Sequence, residues 1–145
     1  MDTVIQEVLN HQTNLISILK EIQDRRIYLS KEVMRDVARG LNIAFNDVFE
    51  IATFYSFLST KPLGENVIRI CKSTPCFMKN CDVIVKTVEE ELGIKPGDMT
   101  ADRKFSLQLT NCIGACDKSP AMMINKKTYG NLTSENVMRI LGGYK

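Results

Sequence analysis

The fold is decided by NVIRICKSTPC, residues 66–76, in which a strand-like run leads into the first of two groups of cysteines. The run NVIRIC is enriched in β-branched residues, so it predicts a short strand that ends at Cys71. A second stretch, FSLQLTNC at residues 105–112, alternates apolar and polar residues and ends at Cys112. If these strands are neighbours, both cysteine-bearing loops leave the same edge of a sheet, and four sulfur atoms can converge there.

The rest of the downstream region predicts a compact α/β layer, with helices packed on a sheet. CDVIVKTVEEELGI, at residues 81–94, has the pattern of an amphipathic helix with Gly93 as its stop signal. AMMIN, at 121–125, predicts a third strand, and SENVMRIL, at 134–141, predicts a closing helix capped by Thr133. CIGACDKSP is interpreted as a loop and NKKTYGN as a turn.

The upstream region has helical periodicity. Apolar residues recur on one face of residues 4–22, and the polar segment HQTN divides this stretch into two helices. Ser30 is the predicted N-cap of a third helix, and Asn46 that of a fourth, DVFEIATFYSFL. Its aromatic residues are expected to be well buried, and Tyr55 and Phe57 to be core residues.

Two domains are therefore expected. Short helices on short links cannot each bury an apolar face alone, so residues 1–62 predict a small helical bundle. The boundary falls in STKPLGEN, at 59–66, which contains Pro62 and Gly64 and has no helical periodicity. Residues 63–145 form the predicted α/β domain.

Composition limits the class of protein. The chain has 145 residues, 44% of them apolar and 25% charged, with a net charge of +2, as in an ordinary globular protein. That charge is too small to indicate nucleic acid as a partner. The N-terminal residues lack the pattern of a signal peptide, and no apolar run is long enough for membrane insertion, so we expect a cytoplasmic protein.

The five cysteines, in a reducing cytoplasm, indicate metal or redox chemistry more than disulfides. Four residues separate Cys71 from Cys76, and three separate Cys112 from Cys116. Structural zinc sites usually have tighter C-x₂-C pairs, whereas wider loops suit a [2Fe–2S] cluster, which four cysteines bind and backbone amides surround. On spacing alone, an iron–sulfur cluster, a zinc site and unligated thiols all stay open.

Other candidate residues have simpler interpretations. Cys81 could replace a ligand, but we expect it to be a small buried residue at the start of a helix. His11 has no partner motif, and the glutamates at 89–91 are expected on a solvated helix face. Three lysines flank the cysteine loops and could offset an anionic cluster or meet an acidic partner: Lys72, Lys79 and Lys118.

Three kinds of active site lack a signature in the sequence. There is no G-x-G-x-x-G and no phosphate-binding loop, so nothing indicates a nucleotide or flavin site on this chain. There is no C-x-x-C, which argues against a thiol enzyme that uses Cys71 or Cys76 as nucleophile, a third possible class. His11, the one histidine, has no partner motif that indicates a Ser–His–Asp set. The pattern indicates an electron carrier without its own substrate site and without catalytic residues.

Seven stretches, several of them in a family's order and spacing, carry a resemblance: YLSKEVMRDVARGLNI, VFEIATFYSF, PLGENVIRIC, CKSTPC, EEELGIKPGDMTADRKFSL, CIGACDKSPAMMIN and YGNLTSENV. From about Tyr28 onward, the chain resembles the thioredoxin-like [2Fe–2S] ferredoxin family. That family supplies the small subunit of NADH dehydrogenase (complex I) and of NAD-dependent and electron-bifurcating hydrogenases and formate dehydrogenases.

The resemblance implies a helical bundle followed by a thioredoxin-like α/β [2Fe–2S] domain. It implies that Cys71 and Cys76 bind one iron, and that Cys112 and Cys116 bind the other. It also implies partners: a flavoprotein subunit that holds FMN and NAD, and further iron–sulfur subunits. A soluble electron-bifurcating hydrogenase is favoured over respiratory NADH dehydrogenase as the complex; a zinc-stapled protein-binding module is the alternative from another class.

The chain departs from the family pattern beside the first cysteine loop. Lys72 and Ser73 occupy a loop in which a glycine is usual, and Cys81 and Asp82 stand where a Gly-Ala pair commonly opens the helix. TADRKF also replaces a more usual Thr-x-Asp-Gly-x-Phe. None of these changes removes a proposed ligand, but the cluster potential of relatives does not transfer to this chain.

Overall fold

The structure is a computed structural model that describes residues 3–11 and 14–145. The chain divides into two compact units on either side of the Pro62–Leu63 bond. Among the described residues, every helix is too short or too polar to cross a lipid bilayer.

The upstream unit consists of α-helices. They are α1 (Thr3–His11), α2 (Leu15–Arg26), α3 (Lys31–Leu41) and α4 (Phe45–Phe54). The predicted break between the first two helices is confirmed, although Gln12 and Thr13 lie outside the described residues. Ser30 caps α3 as predicted, because its side chain accepts a hydrogen bond from the backbone N–H of Val33.

Helix α4 differs from its prediction. It begins one residue before the expected cap Asn46, and Ala44 occupies the cap position without a side-chain hydrogen bond. Only Val48 and Ala52 of this helix are buried, because they share one face at i, i+4 spacing. Phe54 is exposed, so the prediction that the aromatic residues of this helix are well buried is wrong for it. Tyr55 and Phe57 are exposed as well, so the prediction that they are core residues is wrong.

The downstream unit contains one four-stranded sheet. Its strands are β1 (Asn66–Cys71), β2 (Phe105–Thr110), β3 (Met122–Ile124) and β4 (Lys127–Tyr129), in the order β2-β1-β3-β4. Strand β1 pairs in parallel with β2, while β3 is antiparallel to both β1 and β4. The predicted neighbours β1 and β2 are confirmed, but NKKTYGN contains the strand β4 and was wrongly expected to be only a turn.

Three helices belong to this unit: α5 (Thr74–Met78), α6 (Cys81–Leu92) and α7 (Ser134–Gly142). Helix α6 ends at the predicted Gly93, whose φ of +66° is easily adopted by glycine, and Thr133 caps α7 as predicted. The main core lies between the sheet and helices α6 and α7, and it includes these buried residues: Ile68, Ile70, Ile84, Val88, Leu107, Met122, Ile124, Val137 and Leu141.

The register of β1 and β2 brings the two cysteine loops together. Cys71 is opposite Thr110 in the parallel pair, so both strands end at the same level. The backbone N–H of Lys72 then donates to the carbonyl oxygen of Thr110 at 2.9 Å. Cys112 follows two residues later, as the sequence predicted.

Candidate metal centre

The first cysteine loop is built from the end of β1 and the short helix α5. Ser73 occupies the N-cap position of α5, and its carbonyl oxygen accepts a hydrogen bond from Phe77 N–H at 2.9 Å. This single helical turn directs Cys76 inward. Cys71 and Cys76 are each only 1% exposed, and they pack with Ala121 in a small apolar cluster.

The second cysteine loop is a backbone turn with its thiols at the surface. Cys112 and Cys116 are both exposed, and their sulfur atoms are 4.0 Å apart. Gly114 has a φ of +78°, a conformation that glycine adopts without a steric penalty. Its backbone N–H donates to the Cys112 sulfur at 3.3 Å, so the loop supplies an amide donor to that sulfur. A short 3₁₀ turn (Cys116–Lys118) closes the loop.

Hydrogen bonds of the Cys71 and Cys76 side chains connect the loops. The Cys71 thiol donates to the carbonyl oxygen of Asn111, the residue before Cys112, at 2.8 Å. The Cys76 thiol donates to the hydroxyl oxygen of Ser119, three residues after Cys116, at 3.6 Å. Each cysteine of the first loop therefore touches one end of the second loop.

The thiol of Cys71 is surrounded by hydrogen-bond donors. Burial raises its pKa, but hydrogen bonds from the Ser73 backbone, the Cys76 thiol and the Ile113 backbone lower it by more. The net pKa is therefore below the ordinary value for cysteine. Because these donors stabilise a negative sulfur, the position is suited to a thiolate ligand.

The pKa of the Cys116 thiol depends mainly on its neighbour Cys112. Its pKa is raised, first because it donates a hydrogen bond to the Cys112 sulfur and then because of the negative charge of Cys112. Smaller contributions come from the charges of Cys71 and Cys76. Bound metal cations would stabilise negative charge on these sulfurs.

The other candidates of the sequence lie around or away from this site. Cys81 is buried at the start of α6, as predicted, and packs with Cys71 and Cys76. Burial raises its pKa, and so do the charges of Asp82, Cys76 and Cys71. Glu91 forms an ion pair with Lys145. Within residues 3–11 and 14–145, no group of three or more His, Cys, Asp or Glu side chains is arranged around one metal-ion position.

Ser119 is a residue of the site that the sequence reasoning missed. It is buried, and its hydroxyl contacts the residues of both loops. The only local signal is its place as a small polar residue in CIGACDKSP, directly after the second loop. Its contact with Cys76 spans 43 positions, which no local pattern predicts.

The chain matches known proteins over its full length. The family model described as thioredoxin-like [2Fe–2S] ferredoxin matches residues 1–145. One of the NADH-quinone oxidoreductase subunits of Buchnera aphidicola subsp. Baizongia pistaciae is 37% identical over 142 residues, which cover 98% of this chain and 83% of that protein. The HndA subunit of the NADP-reducing hydrogenase of Solidesulfovibrio fructosivorans is 34% identical over 140 residues, covering 97% of this chain and 82% of the relative.

A solved structure shares the fold. The crystal structure of an NAD+-reducing [NiFe]-hydrogenase in the air-oxidised state has a TM-score of 0.72 with this chain at 19% identity. The match covers 87% of this chain but 22% of the hydrogenase chain, so the chain spans about a fifth of that protein.

The donors of this site fit the cluster that gives the family its name. A tetrahedral metal bound at about 2.3 Å holds two thiolate sulfurs about 3.8 Å apart, close to the 4.0 Å between Cys112 and Cys116. The first loop offers a second thiol pair, and the Gly114 N–H supplies the kind of amide donor that surrounds such clusters. The resemblance seen in the sequence is confirmed: the chain belongs to the thioredoxin-like [2Fe–2S] ferredoxin family, whose cofactor is a [2Fe–2S] cluster.

Proposed function

We propose that the chain relays electrons, one at a time, as a subunit of a multisubunit NAD(P)H-linked oxidoreductase. The observation that carries this proposal is the contact between the cysteine loops, in which the Cys71 thiol reaches the carbonyl oxygen of Asn111 at 2.8 Å. A binuclear cluster needs two thiolates on each iron, held on opposite sides of one object. Two loops that leave one sheet edge side by side support such an arrangement.

The ligand set that we propose is the one expected from the sequence. Cys71 and Cys76 would hold one iron, and Cys112 and Cys116 the other. The separation of 4.0 Å between the second pair supports their sharing one metal. The hydrogen-bond donors around Cys71 support its role as a thiolate.

The bound cluster would supply one-electron chemistry, and the residues of the chain would set its surroundings. Cys71 and Cys76 are buried, so water is kept from their side of the site, which favours a fixed geometry. The N–H of Gly114 stabilises negative charge on the Cys112 sulfur. The exposed second loop leaves the other side open to a redox partner.

The partner that we propose is a flavoprotein subunit that binds FMN and NAD and does the hydride chemistry. Further iron–sulfur subunits would complete a cytoplasmic complex. Support comes from relatives that are themselves called subunits, of NADH-quinone oxidoreductase and of NADP-reducing hydrogenase. Of these two kinds of complex, we favour a soluble, electron-bifurcating hydrogenase, with the respiratory dehydrogenase as the alternative. Purification of the native assembly tests this choice, because co-purifying hydrogenase activity supports it and quinone reduction contradicts it.

The cluster is tested by purifying the chain without oxygen. We expect a brown protein with about two irons per chain, whose visible bands bleach when dithionite is added. A colourless protein with about one zinc per chain would instead support a zinc-stapled binding module. A protein without metal would instead support the third class, a thiol enzyme.

A further inference from the structure

A buried serine lies between the two cysteine pairs. Ser119 follows the 3₁₀ turn and is 4% exposed. Its hydroxyl donates to the carbonyl oxygen of Cys116 at 2.8 Å and accepts from the Cys76 thiol at 3.6 Å. One side chain therefore contacts a residue from each proposed pair of ligands.

The backbone on both sides of Ser119 is anchored. The N–H of Asn131 donates to the carbonyl oxygen of Lys118 at 2.6 Å, and the N–H of Leu132 donates to that of Pro120 at 3.1 Å. These bonds fix the segment against the end of strand β4 and the turn before α7. The position of the serine hydroxyl is therefore set by the fold, with only its own rotation left free.

Ligation changes which atom can donate in the contact between Ser119 and Cys76. A metal-bound cysteine is a thiolate and has no proton, so the contact can persist only if the serine hydroxyl donates to sulfur. The carbonyl oxygen of Cys116 does not depend on that hydroxyl, because the backbone N–H of Ser119 also donates to it at 3.4 Å. When the O–H turns toward sulfur, the Cys116 carbonyl oxygen therefore keeps a hydrogen-bond donor.

We propose that Ser119 donates a hydrogen bond to the Cys76 sulfur when the cluster is bound and so favours the reduced cluster. The proposal rests on the function proposed above. Reduction adds negative charge to the iron–thiolate unit, and hydrogen bonds to charged acceptors are stronger than those to neutral ones. Hydrogen bonds to cluster sulfurs are among the features that set the reduction potential. Loss of this donor lowers the potential.

The test compares Ser119→Ala with wild type in the full-length, cluster-loaded chain. At a fixed applied potential near the wild-type midpoint, the ratio of oxidised to reduced cluster should rise about tenfold, the order of magnitude expected for the loss of one hydrogen bond to a charged acceptor. Ser119→Thr keeps a hydroxyl and should have a midpoint potential close to that of wild type. Ser119→Val has the shape of threonine without the hydroxyl, and its midpoint potential should be lowered as in the alanine variant. Ser106→Ala is the matched control: Ser106 is 2% exposed and accepts from Gly64 N–H, away from the cysteines. It should lose stability without any change in potential.

Each outcome decides the proposal. An unmoved midpoint in Ser119→Ala, with the cluster still present, overturns it. Loss of the cluster in the alanine and valine variants, with retention in Ser119→Thr, supports it, because the hydroxyl is then the group the site requires. Loss of the cluster in all three variants overturns it. Absence of any cluster in the wild-type chain is a separate result, which removes the proposed function itself.

Discussion

The two cysteine loops present the same ligand type on different supports. Cys71 and Cys76 lie on a strand end and a helical turn and are each 1% exposed. Cys112 and Cys116 lie on a turn at the surface and are exposed. The first loop is part of a packed cluster, whereas the second is held by backbone hydrogen bonds. A cluster bound between them would have one shielded iron and one iron close to solvent.

The difference predicts that equivalent substitutions in the two loops have unequal consequences. Every ligand should be needed for the cluster. Only the ligands of the first loop should also be needed for the packing of the protein without its cluster.

The largest effect is expected for Cys71→Ala. It should abolish the chromophore and also destabilise the metal-free chain by about 1–2 kcal/mol, because it removes a buried sulfur and leaves a cavity. Visible spectroscopy and urea unfolding of the metal-free chain measure the two effects. A normal spectrum would exclude Cys71 as a ligand, and unchanged stability would contradict its packing role.

Cys112→Ala should abolish the chromophore without destabilising the metal-free chain. Its side chain is exposed, so the stability of the metal-free chain should change by less than about 0.5 kcal/mol. Cys81→Ala is the control, since it removes a cysteine that is not a proposed ligand and should leave the spectrum nearly intact. If Cys81→Ala bleaches the protein while Cys112→Ala does not, the assignment of the ligands is wrong.

Gly114→Ala should have a smaller effect on the second loop. No atom lies within 4 Å of an added Cβ, so the cost comes from the φ of +78°, and is about 1 kcal/mol. We expect the cluster to form but its visible bands to shift, because the amide donor of Cys112 moves. Gly97→Ala is matched, with φ of +96° and the same free space, but it lies outside the cysteine loops. Equal spectra for the two variants would show that the Gly114 N–H does not act on the cluster.

The smallest effect concerns thiol reactivity in the metal-free chain. Alkylation followed by mass spectrometry should modify Cys112 and Cys116 before the three buried cysteines. Because the pKa of Cys116 is raised, less of it is thiolate near pH 8, and its rate should keep increasing at higher pH than that of an ordinary cysteine. Faster modification of Cys76 than of Cys112 at pH 8 would contradict the difference in burial between the loops.

The sequence predicted those parts of the molecule that local patterns encode. The strands β1 and β2 follow from β-branched residues and strict alternation, and their parallel pairing then brings Cys71 and Cys112 to one edge. The capped helices followed from Ser30, Thr133 and Gly93 for the same reason.

Features that depend on tertiary contacts were missed. The aromatic content of α4 did not reveal which of its faces is covered, so Phe54 was wrongly expected to be buried. Strand β4 is three residues long and pairs only with β3, and such short strands depend on their neighbours more than on their own sequence. Ser119 meets Cys76 only in the folded chain.

The most direct test of the central claim is electron paramagnetic resonance of the anaerobic, dithionite-reduced chain, with iron and acid-labile sulfide measured on the same sample. Four thiolates around one binuclear cluster predict a half-integer-spin signal together with about two irons and two sulfides per chain. A silent spectrum from a chain that holds zinc, or no metal at all, would contradict the account.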